Sequence, residues 1–226
     1  MLRYGLGARS ALGYGLGVSA PGGAALWYRA GGAPLPVAAY QPKGAADLAA
    51  SYVNLANPGT YNAAPGVAPS FDAATGWTFN GSTQYLTTGV TPSDTNFAML
   101  IRFADTTASG VPIGVYRAAP NRFYNFYVTK DASVTFSFGS NFTVIPGTFN
   151  SGVLGYAALT GYKNGLSIGA VGAVGNTPDS DIYIGTRNDA VLFLFYAGKI
   201  QAVAIWNTST NHAIWMPAVS AAMALI

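Results

Sequence analysis

Carboxylates, imidazoles and thiols carry most protein chemistry, and this chain is short of all three. Its eight acids are all aspartates; it has no glutamate, one histidine and no cysteine. Retaining hydrolysis of a glycosidic bond needs two carboxyl groups about 5 Å apart. Asp179 and Asp181 have the right spacing, because residues i and i+2 of a strand point to the same face of its sheet. Yet they sit in NTPDSD, ahead of the apolar run DIYIG, where turn chemistry explains aspartates better than catalysis does. The expectation is a protein that is not an enzyme. His212 falls outside the strand-rich region, beside an expected final helix, where a cap or surface role suits it. One imidazole does not make a histidine metal site or a catalytic dyad, and the absence of cysteine excludes disulfides and thiolate metal sites.

Two binding chemistries survive. Calcium is a hard cation that takes oxygen ligands, and Asp179, Asp181, Asp189 and Asn188 flank one short strand. Its two ends can each supply ligands but not one shared site, and no EF-hand-like loop is present. The expected cofactor is therefore none, with Asp179, Asp181 and Asp189 as the calcium candidates and solvated loop acids as the plainer reading. Sugar binding needs an exposed aromatic ring beside amides or hydroxyls. Trp77, Tyr85 and Tyr162 are the candidates, with Tyr124 and Trp206 of suitable type, although a β-sandwich buries most of its aromatics. The sequons at Asn80, Asn141 and Asn207 matter only on a secretory route.

The composition indicates what must hold such residues. The chain has 226 residues, half of them hydrophobic and only 8% charged, against about 25% charged in ordinary soluble domains. Gly, Thr, Tyr, Phe and Val are plentiful while Glu and Lys are scarce, which favours strands and turns. A surface so poor in charge stays in solution through Ser, Thr, Asn and Gly, or lies against partners. No apolar run reaches the roughly 18 residues of a membrane span, and glycines interrupt every N-terminal stretch of signal-peptide length.

The formal charge of +3 is uneven: Arg3, Arg9, Arg29 and Lys43 precede the first acid, leaving seven bases against eight acids. Residues 1–23 form a Gly-rich arm in which Tyr-Gly-Leu-Gly occurs at Tyr4–Gly7 and again at Tyr14–Gly17. A solenoid unit is longer than this repeat. A phosphate loop would need a third glycine elsewhere and a strand-to-helix context, and four scattered bases make no nucleic-acid patch. The arm reads as an assembly device, with Tyr4, Leu6, Tyr14 and Leu16 filling a neighbour's pockets between glycines free to take any φ.

From residue 24 the punctuation is that of a β-protein. ALWYRA and PVAAYQ are short apolar runs, and Asp47–Asn54 suits a short helix. GWTFNGSTQYLTTG reads as a hairpin around Asn80-Gly81, and GYKNGLSIG as another around Asn164-Gly165. In NFAMLIRF, Phe97, Met99, Ile101 and Phe103 alternate, with Arg102 on the other face. RFYNFYV, SVTFSF, FTVI, DIYIG and GKIQAVAIWN complete the strands. A final apolar helix spans about His212 to Leu225, with Pro217 tolerated only in its first turn. The architecture expected is all-β: a two-sheet antiparallel jelly-roll sandwich over 24–207, an extended N-terminal arm over 1–23 and a short helical tail over 208–226.

The succession FNGSTQYLTTG, NFAMLIRF, YKNGLSIG, DIYIGTRND and AGKIQAVAIWN resembles the concanavalin A-like lectin/glucanase superfamily. More narrowly, it resembles the laminin-G-like jelly rolls of bacteriophage structural proteins and secreted bacterial proteins. The resemblance spans Phe71 to Asn207 and specifies a fold better than a function. It implies a non-enzymatic virion protein, a head-decoration or tail-associated jelly roll docked through its arm to capsid or tail proteins and self-associating. The alternative is a carbohydrate-binding module or adhesin, extracellular or on a cell surface, whose partners are cell-surface glycans. Neither reading involves nucleic acid or a membrane span.

Overall fold

The computed structural model describes residues 26–92, 96–117, 122–171, 177–189 and 191–226; the expected arm, with Tyr4, Leu6, Tyr14 and Leu16, lies outside them. A 3-10 turn, Trp27–Gly32, leads to β1 (Ala38–Tyr40), the single helical turn α1 (Leu48–Ser51), β2 (Ala64–Val67), β3 (Ser70–Asp72), β4 (Gly76–Asn80) and β5 (Tyr85–Thr87). Long strands follow: β6 (Ala98–Ala108), β7 (Gly110–Arg117), β8 (Arg122–Thr129), β9 (Ser133–Gly139), β10 (Asn141–Pro146) and β11 (Gly152–Ala157). The chain closes with β12 (Thr160–Lys163), β13 (Leu166–Ala170), β14 (Tyr183–Ile184), β15 (Arg187–Asn188), β16 (Ala197–Trp206) and α2 (His212–Ala224).

The strands make two sheets, as expected for a concanavalin A-like jelly roll. Sheet one runs β13-β12-β11-β6-β16-β4-β3, with β1 also on β16; sheet two runs β10-β9-β8-β7-β14-β5-β2, with β15 parallel to β7. Period-two alternation directs Trp77, Phe79, Met99, Ile101 and Phe103 from sheet one against Tyr124, Phe126, Phe136 and Phe138 from sheet two. Rings interlock there, Tyr124 stacking on Phe138 at 4.4 Å and Phe126 meeting Tyr156 edge-on at 5.2 Å.

The outer face of sheet one is covered. Its Ala98, Leu100, Ala202, Ala204 and Trp206 pack under the 3-10 turn and under Trp215, Met216, Val219 and Met223 of α2. Each large side chain buried this way stabilises by about 1.5–3 kcal/mol. Arg102, outward on β6 as the alternation requires, donates from Nη1 to the carbonyls of Met223 and Ile226, at 2.9 and 2.5 Å. The segment read as a tail is thus a packed layer.

Two local readings differ from the structure. GWTFNGSTQYLTTG is not a hairpin: β4 belongs to sheet one and β5 to sheet two. Asn80 Oδ1 accepts from the backbone N–H groups of Ser82, Thr83 and Gln84, which turns the chain into an arch between sheets. Within the short apolar run ALWYRA, Trp27 begins the 3-10 turn. Pro217 lies at the sixth residue of α2, beyond its first turn. The carbonyl it leaves without a donor belongs to Ala213, which is exposed to water. The Asn164-Gly165 hairpin is as read, with φ of 50° and 82° at its two central residues.

Candidate functional site

Sheet two differs from sheet one on its outer face, which no helix covers among the described residues. The register defines a row across it: Thr87 on β5, Tyr183 on β14, Gly114 on β7, Asn125 on β8, Ser137 on β9 and Phe142 on β10. Beside this row, Tyr116 pairs with Phe123, and Tyr127 with Thr135. A solvated face would carry polar side chains. Here Tyr85, Tyr116, Phe123, Tyr127 and Tyr183 stand half-buried, and Phe142 is 67% exposed.

The rings come in pairs. Tyr85 stacks on Tyr183 at 5.2 Å and 22°, and Tyr116 on Phe123 at 4.3 Å and 23°. Tyr85 lies over Gly66, where any side chain would overlap its ring. Between the two ring pairs the face is small and polar. Gly114 abuts Asn125 so closely that a Cβ would clash with it, and Asn125 and Ser137 are buried. Asn125 Nδ2 has no hydrogen-bond partner. A buried amide donor without a partner costs about 1–3 kcal/mol.

One segment crosses this face. Gly185, at φ 87° and tight against the Phe79 ring, lets the chain reverse after β14 so that β15 returns beside β7. The reversal lays the Arg187 guanidinium 4.4 Å from the Tyr116 ring centroid, 5.7 Å from that of Phe123 and 4.7 Å from that of Phe193. Its Nη2 donates to Asp189 Oδ2 at 2.9 Å, with both side chains about nine-tenths buried. Leu194 completes the crossing in a left-handed conformation, φ 60°, an uncommon cost for a branched residue.

The three aspartates meet donors, not one another. Asp179 pairs with Arg117 Nε at 2.7 Å in solvent, and Asp189 with Arg187. Asp181 accepts from Gly89 N–H at 3.2 Å and from Asn188 Nδ2 at 3.0 Å. The turn at Gly185 folds Asn188 back onto Asp181, so the two ends of the strand meet at this one contact. Among the described residues no group of three acids or histidines is placed to hold a metal ion. Burial raises the Asp181 carboxyl above its ordinary value, against the lowering effect of its backbone hydrogen bonds. Burial also raises the Tyr183 hydroxyl, with the nearby Asp181 charge adding to it.

Of the three rings proposed from the sequence, only Tyr85 stands on this face. Trp77 is fully buried in the inter-sheet core, its Nε1–H donating to Ser51 Oγ at 2.7 Å. Tyr162 is buried under α2, its hydroxyl 2.7 Å from His212 Nδ1. Neither offers a ring to a ligand, because Trp77 faces the inter-sheet core and Tyr162 faces outward beneath α2. The residues missed were Tyr116, Phe123, Asn125, Tyr127, Tyr183 and Arg187. For Phe123, Asn125 and Tyr127 the signal was in RFYNFYV, where asparagine between aromatics marks the outward side of a strand that is aromatic on both.

No protein-family model and no curated protein sequence matches the chain. Among solved structures it is similar to a mutant of Trypanosoma rangeli sialidase displaying trans-sialidase activity, with 12% identity and a TM-score of 0.60 over 84% of this chain and 33% of that one. Trypanosoma rangeli sialidase in complex with sialic acid gives 13% identity and a TM-score of 0.59 over the same shares. The chain therefore spans about a third of the length of these structures. A native heptameric SAP-like pentraxin from Limulus polyphemus overlaps less well, at 13% identity and a TM-score of 0.45 over 63% of this chain and 78% of that one. The likeness is one of fold. The shared architecture is a two-sheet β-sandwich.

Proposed function

We propose that this chain is a non-enzymatic carbohydrate-binding sandwich that receives a neutral saccharide on the outer face of sheet two. The observation that carries the reading is the face itself, with two pairs of half-buried rings flanking Asn125, whose Nδ2 is buried without a partner. Sugar rings present apolar C–H faces and hydroxyl edges, which suit aromatic stacking beside a fixed amide. The charges at the face are compensated, Arg187 by Asp189 and Asp181 by the donors of Asn188 and Gly89. The Arg187–Asp189 pair at the face is closed, which favours a neutral sugar over an acidic one. Catalysis is not part of the reading, since glutamate is absent and Asp181 and Asp189 are already engaged as acceptors. A virion-attached jelly roll can carry such a face, and that placement draws its support from the arm and the sequence resemblance alone.

A glycan panel spanning neutral, sialylated and sulfated oligosaccharides tests the proposal, with Tyr183→Ala and Asn125→Ala as variants. Binding restricted to neutral members and weakened at least fivefold in both variants is expected. Retention of acidic glycans only, or variants that bind as well as the parent chain, would overturn it.

A further inference from the structure

α2 is apolar on the side it turns to solvent as well as on the side it buries. From His212 to Ile226 the chain has no charged residue. Trp215, Met216, Val219 and Met223 face sheet one and the 3-10 turn. Ile214, Pro217, Ala218, Ala221 and Leu225 fall on the opposite stripe at i, i+3, i+4, i+7 and i+11, with Ile214 71% and Leu225 89% exposed. A free helix surface is normally polar. Gly31 of the 3-10 turn bounds the stripe on one flank, close enough to Ala218 that a Cβ there would overlap it. On the other flank the Gly165 turn approaches Pro217 and Ser220, followed by the exposed Leu166.

We infer that this stripe is the seat of the chain's own residues 14–25, with Tyr14 and Leu16 as its anchors. The described chain starts at Leu26, immediately before the 3-10 turn that packs on α2. The occupant is therefore tethered beside its site, at an effective concentration no free partner matches. The lengths agree. α2 has 13 residues, so it is about 20 Å long at 1.5 Å per residue. An extended segment back from Leu26 to Leu16 reaches roughly 33 Å. The inner Tyr-Gly-Leu-Gly unit can thus reach the open part of the stripe, its glycines bringing the backbone close to the exposed Ala221. A second copy's α2 fits less well, because a stripe about 20 Å by 10 Å offers roughly 200 Å², far below the ~800 Å² per partner of a stable interface.

Hydrogen–deuterium exchange on the intact chain, with native mass spectrometry for its oligomeric state, tests the seat. The expected result is at least tenfold slower amide exchange across residues 12–20, independent of protein concentration. Ile214→Asp, at an exposed position, and Leu16→Ser, in the arm, should each abolish that protection and leave the strands unchanged. An unprotected segment, protection that appears only as oligomers form, or protection that survives both substitutions would overturn the inference.

Discussion

Replacing Arg187 by methionine removes one member of a buried ion pair and keeps most of its length. The guanidinium sits against three rings and Asp189, with 11% of its side chain and 8% of that of Asp189 exposed. Removing one partner of such a pair costs about 3–5 kcal/mol, because the remaining charge loses its counter-ion away from water. Cation–π attraction lost from Tyr116, Phe123 and Phe193 adds to that, while methionine sulfur against the same rings returns about 0.3–1.5 kcal/mol. The net expectation is about 3 kcal/mol, or roughly 6–12 °C in Tm for a chain of this size. Urea denaturation followed by tryptophan fluorescence reads it directly. Arg187→Met/Asp189→Asn, which removes both charges, should recover all but about 1 kcal/mol. A single variant less than about 1 kcal/mol below the parent would refute the buried pair, as would a double variant no better than the single.

Further outcomes follow from other parts of the structure. Ser51→Ala removes the acceptor of the buried Trp77 indole N–H and should cost about 1–3 kcal/mol in the same denaturation assay, whereas Ser51→Thr should cost less. Burial raises the Asp181 carboxyl in the folded state above the ordinary carboxylate value of 3.8. Its contribution to stability is therefore complete below the unfolded pKa and is lost as pH rises through the folded one. Asp181→Asn should flatten the stability profile just above pH 3.8, and an unchanged slope would show that the burial is not felt. Gly185→Ala must strain a φ of 87° and push on the Phe79 ring, so thermal melts should show loss of stability together with weaker glycan binding. No polysaccharide is expected to yield reducing ends, and turnover abolished by Asp181→Asn would contradict that.

Sequence reading succeeded where the information was local and periodic. The alternation of Phe97, Met99, Ile101 and Phe103 placed β6, and Asn164-Gly165 placed the β12–β13 turn, because a two-residue turn fixes the register of its own flanks. The same dipeptide at Asn80-Gly81 misled. A side chain that caps three backbone N–H groups can bend a chain between sheets as readily as within one, and β4 and β5 pair with the distant β16 and β14, roughly a hundred residues downstream. Trp77 and Tyr162 could not be distinguished from Tyr85 by type, since inward or outward orientation depends on pairing with those distant strands. The Arg187–Asp189 pair and its rings were hidden for the same reason: Gly185 reverses the chain, and only the return beside β7 brings Tyr116 and Phe123 within reach. The apolar outer side of α2, by contrast, was legible in AIWMPAVSAAMALI from the start, as a helix without a polar face.

Amide chemical-shift mapping tests the central claim most directly. A ¹⁵N-labelled sample of the chain is titrated with the neutral oligosaccharide that binds best on the glycan panel. The account predicts saturable shifts concentrated at Tyr116, Asn125, Ser137 and Tyr183, with the strands of sheet one unmoved. Shifts confined to the loops at either end of the sandwich or to sheet one, or no saturable shift with any neutral saccharide, would contradict it.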